Sequence, residues 1–126
     1  MGSRVNKKKI LIVDDDPSIA DLLTQALAEE GYETFKESQS LRMYDAVREH
    51  RPDLILLDLM MPYLEGKDEL ELLKLGDERI PVIVVTAKIE AKQEEEEYKK
   101  LGVVTIVTKP FDLNQLVQLV KRTLGA

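Results

Sequence analysis

The sequence predicts an α/β fold, a doubly wound five-stranded parallel sheet with helices on both faces. Three observations carry that expectation. Short apolar runs of β type recur at Ile10 to Val13, Leu54 to Leu57, Val82 to Val85 and Val103 to Thr108. Between them lie stretches with helical spacing, and right-handed crossovers between parallel strands place such helices on both faces of a sheet. Each run also ends in a polar or charged residue, and open parallel sheets bind ligands at the carboxyl ends of their strands.

The elements follow in order. After the first strand, Asp16 and Pro17 read as N-cap and first helical residue. Ile19, Leu22, Leu23, Ala26 and Leu27 then recur on one helical face until Gly31 stops it. A short strand is expected over Glu33 to Lys36, followed by a helix over Ser40 to Glu49 with Leu41, Tyr44 and Val47 turned inward. Pro52 and Asp53 separate it from the third strand. Met60 to Gly66 is rich in turn formers, and Leu70 and Leu73 suggest a helix ending near Gly76. Pro81 opens the fourth strand. The stretch Glu90 to Leu101 is strongly charged, and Glu95 with Lys99 and Glu96 with Lys100 have the spacing of a solvated helix, with Tyr98 as its anchor to the sheet. Gly102 ends it. After the fifth strand, Asp112 caps a helix whose Leu113, Leu116, Val117, Val120 and Leu124 form an apolar stripe.

A chain of 126 residues, 44% hydrophobic and 33% charged, fits one domain over 1–126 with its core over about 8–124. Residues 1–4 are expected to be a cloning remnant or a disordered tail. The net charge of −6 argues against direct nucleic-acid binding, which shows a basic face, and suits a site that holds a cation. Without cysteine there is neither a disulfide framework nor a thiolate metal site, and a cytoplasmic setting is expected. No stretch is long and apolar enough to span a membrane.

The strand ends carry the chemistry. Asp14 and Asp15 follow the first strand, Asp58 the third, Thr86 the fourth and Lys109 the fifth. Three carboxylates converging there repel one another by about 4 kcal/mol per pair at ~4 Å and an effective dielectric near 20. A divalent cation removes that cost, and all-oxygen ligands favour Mg2+ over zinc. For Asp16 an ordinary acidic helix start suffices. Asp58 can act as a nucleophile toward a phosphoryl donor, with the metal, Lys109 and the Thr86 hydroxyl around the phosphoryl oxygens. Singly, Lys109 reads equally as a surface lysine and Thr86 as an ordinary strand residue. Their joint placement is what sets them apart. His50, the one histidine, is expected to be a solvated helix-end residue.

These residues bring a resemblance with them. The motifs Leu11-Ile12-Val13-Asp14-Asp15-Asp16-Pro17, Pro52-Asp53-Leu54-Ile55-Leu56-Leu57-Asp58, Met61-Pro62, Gly66, Val85-Thr86-Ala87 and Thr108-Lys109-Pro110-Phe111 resemble, in order and approximate spacing, the receiver domain of two-component response regulators. The match spans Lys9 to Leu124. The resemblance implies a flavodoxin-like fold with strand order 2-1-3-4-5. It implies a phosphorylation-activated switch in phosphorelay signal transduction, not an enzyme acting on a separate substrate. Asp58 would accept phosphate from a sensor histidine kinase, and Asp14, Asp15, Asp58 and the Met60 backbone carbonyl would hold Mg2+, Asp14 largely through water. Thr86 and Lys109 would meet the phosphoryl oxygens, Ala87 would be the small residue beside the site, and Lys109-Pro110 would be cis. Met60 and Lys88 would flank the water that attacks the acyl phosphate. The output would go to another protein or to a C-terminal domain of a longer regulator, through a face made by the charged helix, the fifth strand and the last helix. The domain would be a monomer or weak dimer.

One position departs from the family pattern. Receivers carry Tyr or Phe three residues before the lysine, and here that switch position is Ile106. A β-branched aliphatic has no ring to exchange between environments. Output is therefore expected to run through backbone shifts in the loop after Thr86 and the charged helix beyond it. Competing readings are a pseudo-receiver scaffold, which the intact acids oppose, and a magnesium-dependent phosphohydrolase, which wants a second acid where Met60 stands. A flavodoxin-like electron carrier would want uncharged donors where Asp14 to Ser18 offers acids.

Overall fold

The computed structural model describes residues 7–64, 67, 70–71 and 79–125. Its elements are β1 (Lys9–Val13), α1 (Pro17–Glu29), β2 (Glu33–Glu37), a 3₁₀ turn (Ser40–Arg42), α2 (Met43–His50), β3 (Leu54–Leu57), β4 (Val82–Thr86), α3 (Ile89–Gln93), α4 (Glu95–Lys100), β5 (Val103–Thr108) and α5 (Leu113–Leu124). All pairings are parallel and the order is β2-β1-β3-β4-β5, as expected. The helix expected to end near Gly76 falls mostly outside the described residues, though Lys67, Leu70 and Glu71 are helical.

Strand alternation divides the apolar residues between two cores. Leu11, Val13, Ile55, Leu57, Val82 and Val84 face α2, α3 and α4. Ile10, Ile12, Leu54, Leu56, Ile83 and Val85 face α1 and α5. Burial on both faces explains why β1, β3 and β4 read as continuous apolar runs. At about 1.5–3 kcal/mol per buried aliphatic side chain, these strands resist sliding, so their ends are fixed points for a site.

The helix ends follow local chemistry. The Asp16 side chain accepts from Ser18 N and Pro17 takes the first position of α1. Asp112 caps α5 by accepting from Gln115 N, and Gly125 at φ 71 closes it. Arg51, left-handed at φ 49, ends α2 immediately before Pro52.

Three expectations are corrected here. Leu41 is 70% exposed, and Met43, Ala46 and Val47 form the buried face of α2. The first turn is 3₁₀, and its tighter winding shifts the phase on which the 3.6-residue spacing was counted. The charged stretch is two short helices meeting at Glu94, and Glu95, which the spacing paired with Lys99, instead reaches β5. His50 is not simply solvated, for its ring stacks on Phe35 with centroids 3.9 Å apart. Tyr98 does anchor α4, being buried with Ala91, Val103 and Ile106.

Candidate functional site

Main-chain bonds beyond the strand ends bring the loops into register. Asp14 N donates to Glu37 O (3.1 Å), Asp58 N to Val13 O (3.0 Å) and Lys109 N to Thr86 O (2.8 Å). The sheet thus continues for one residue past its apolar runs and sets the site residues side by side. One carboxylate oxygen from each of Asp14, Asp15 and Asp58 lies within 4.8 Å of the others. Asp14 and Asp58 are buried and Asp15 is exposed, so the cluster opens to solvent on one side.

Lys109 supplies the counter-charge. Its Nζ donates to Asp14 Oδ2 at 2.9 Å and to Asp58 Oδ2 at 3.1 Å. Burial alone would depress the Lys109 pKa, but the two hydrogen bonds and the two carboxylate charges outweigh it and raise it. Burial raises the Asp14 carboxyl, against the opposing pull of Asp16 N and Lys109. The remaining oxygens hold the loops: Asp14 Oδ1 accepts from Asp16 N at 2.9 Å, and Asp58 Oδ1 from Met60 N at 2.9 Å. Among the described residues no buried side-chain polar atom lacks a partner.

Thr86 is fully buried at the end of β4, where its hydroxyl accepts from Lys88 N at 3.1 Å. Ala87 beside it is exposed. The Lys109-Pro110 peptide is cis. Ile106 stands apart from the acids, 2% exposed in the core beneath α3 and α4. A cavity of about 310 Å³ extends the cleft beside Asp15, lined by Ser38 to Leu41, Pro62 and Tyr63. Sequence reasoning did not single out this lip, where Ser40 Oγ donates to Pro62 O. It also missed the role of Lys92 and Glu95 on β5, for which their three-residue spacing beside an edge strand was the available signal.

Comparison with known proteins fits this geometry. The family model described as response regulator receiver domain matches residues 10–121. The chain belongs to the response regulator receiver domain family. It is 42% identical over 117 residues to sporulation initiation phosphotransferase F of Bacillus subtilis, covering 93% of this chain and 94% of that protein. It is 36% identical to the polar-differentiation response regulator DivK of Brucella anthropi, covering 94% and 97%. With the DNA-binding response regulator MtrA of Mycolicibacterium smegmatis it shares 39% identity, and it spans 51% of that protein's length. Among solved structures, a CheY-like receiver from Methanospirillum hungatei superimposes with a TM-score of 0.86 at 28% identity, covering 95% of each chain. The Thermotoga maritima response regulator TrrA, solved in complex with Mg2+ and BeF, has a TM-score of 0.80 at 28% identity and covers 92% of this receiver and 98% of its own chain. Among the described residues, no helix of this receiver is long and apolar enough to cross a membrane.

Proposed function

We propose that this receiver is a phosphorylation-activated switch in which Asp58 accepts a phosphoryl group from the phosphohistidine of a sensor kinase or phosphotransferase. The observation that carries the reading is the position of Asp58 between a cation and two further acids. Its carboxylate meets Lys109 at 3.1 Å and shares a 4.8 Å cluster with Asp14 and Asp15.

That donor set fits a hard divalent ion, since it is all oxygen and offers three negative charges against one ammonium. Asp14, Asp15, Asp58 and the Met60 carbonyl would hold Mg2+, which supplies positive charge to the phosphoryl oxygens when bound. The chain's own part is positioning. An Asp58 oxygen attacks phosphorus, the new O–P bond forms as the N–P bond to imidazole breaks, and the imidazole leaves with the electron pair of that bond. Lys109, already on Asp58, then shifts toward the charge on the transferred group, and the Thr86 hydroxyl turns to a phosphoryl oxygen. Ala87 keeps that approach open. The added charge of about −1.5 to −2 biases the surface formed by α3, α4, β5 and α5 toward a partner protein or an output domain, within a cytoplasmic phosphorelay.

Intact mass after incubation with acetyl phosphate and Mg2+ tests the reading. One added phosphoryl group is expected in the wild type with metal, and none in Asp58→Asn or without metal. Labelling of Asp58→Asn equal to wild type would refute it.

A further inference from the structure

β5 is an edge strand, so the outward N–H and C=O groups along it lack a neighbouring strand. At Ile106 both are taken by side chains. Ile106 N donates to Glu95 Oε2 at 3.1 Å, and Ile106 O accepts from Lys92 Nζ at 2.9 Å. Thr105 Oγ1 donates to the same Glu95 oxygen at 2.7 Å, and Lys92 Nζ lies 3.2 Å from Glu95 Oε1. The two side chains and the main chain of one residue close a ring. It fixes the main chain at Ile106, whose side chain is buried in the core beneath α3 and α4.

The ring is joined to the acid cleft by a short length of chain. Thr86 Oγ1 accepts from Lys88 N, Lys88 is the N-cap residue of α3, and Lys92 stands in the last turn of that helix. Five residues are too few for a helix to hold itself, so the place of α3 is set by what it touches. When the Thr86 hydroxyl turns to donate to a phosphoryl oxygen, its lone pairs turn away from Lys88 N. The start of α3 is then released about 6 Å from Lys92, four helical residues at 1.5 Å each.

We propose that Lys92 and Glu95 form a latch that closes the β5 edge at Thr105 and Ile106 in the resting receiver and opens when Asp58 is phosphorylated. This rests on the phosphorylation reading above. The latch transmits the switch through main chain at Ile106, a β-branched residue with no ring to turn between environments. Because linkage is reciprocal, a group that holds the resting state also weakens binding of whatever favours the active one.

Residue-resolved hydrogen exchange with and without beryllofluoride and Mg2+, a phosphoryl analogue, tests this. In the wild type the Ile106 amide is expected to exchange at least tenfold faster once the analogue is loaded, loading being verified by shifted amide signals at Asp58 and Met60. Glu95→Ala is expected to show fast Ile106 exchange without the analogue and to bind beryllofluoride about tenfold more tightly, within the usual range of allosteric coupling. Glu95→Gln should lie between. Loaded wild type with undiminished Ile106 protection overturns the latch, as does a folded Glu95→Ala with unchanged analogue affinity. If Glu95→Ala does not fold, the wild-type exchange decides alone. Absence of loading overturns the phosphorylation reading and the latch with it.

Discussion

Lys109 bridges two buried carboxylates, and the stability this gives can be separated from the role toward phosphate proposed for it. Replacing it with Met keeps most of the aliphatic stem and deletes the ammonium that bridges Asp14 and Asp58 at 2.9 and 3.1 Å. Both carboxylates are nearly sealed from water, with side chains 3% and 7% exposed, so solvent screening offers little relief. At the 4.8 Å limit of the cluster and an effective dielectric near 20, each carboxylate pair repels by about 3.5 kcal/mol. The cost is bounded from two sides. Breaking one side of a buried ion pair costs about 3–5 kcal/mol. Alternatively the site takes up a proton, and neutralising a carboxyl with a reference pKa of 3.8 at pH 7 costs about 4 kcal/mol. Lys109→Met is therefore expected to lose about 3–4 kcal/mol in EDTA. For a chain of this size that is a drop of about 10–15 °C in Tm. Mg2+ is expected to restore more stability in Lys109→Met than it adds to the wild type, because no ammonium competes for the same oxygens. Thermal melts followed by circular dichroism, with EDTA and across a Mg2+ titration, measure both effects. A variant within 1 kcal/mol of wild type in EDTA, or equal Mg2+ stabilisation of the two proteins, would refute the electrostatic account.

Two further expectations concern the periphery. The Glu95 carboxyl is lowered to about 2 from 4.5 by its hydrogen bond from Thr105, then by those from Ile106 N and Lys92. A depressed carboxyl contributes stability that is complete above about 4.5 and lost as pH falls toward 2, at most about 3 kcal/mol and about 1–2 kcal/mol after screening. Urea midpoints between pH 6 and pH 2.5 should therefore fall more steeply in wild type than in Glu95→Gln, and parallel curves would remove this role. Asp112→Ala leaves Gln115 N without its acceptor at the start of α5, so a loss of about 1 kcal/mol is expected in urea melts, and an unchanged midpoint would contradict the cap.

What was legible in the sequence divides along a physical line. Strands buried on both faces must be almost wholly apolar, so Ile10 to Val13 and Leu54 to Leu57 announced themselves, and the first polar residue after each became the site. Asp16 and Asp112 were legible because capping is local. Leu41 was misassigned because a 3₁₀ turn changes the period without changing the residue types that signal a helix. The Phe35–His50 stack was invisible for a different reason, since it joins residues fifteen apart through a fold that no local pattern specifies.

Glu95 shows the deeper difficulty. In a run of four glutamates the pattern reads as a solvated face, and for the exposed Glu96 that reading suffices. Lys67 answers part of the run from across the fold, with Nζ at 2.8 Å from Glu94 and 2.6 Å from Glu97. An edge strand, however, has backbone groups that need partners, and a chain with charge to spare at the neighbouring helix can meet that need with side chains. One glutamate and one lysine do so at Ile106, and the break at Glu94 accompanies the turn that aims them. Charge runs beside a predicted edge strand are thus better read as candidate partners for its main chain before they are assigned to solvent. In this receiver that reading leads from an apparently plain acidic helix to the main chain of Ile106 on the edge strand.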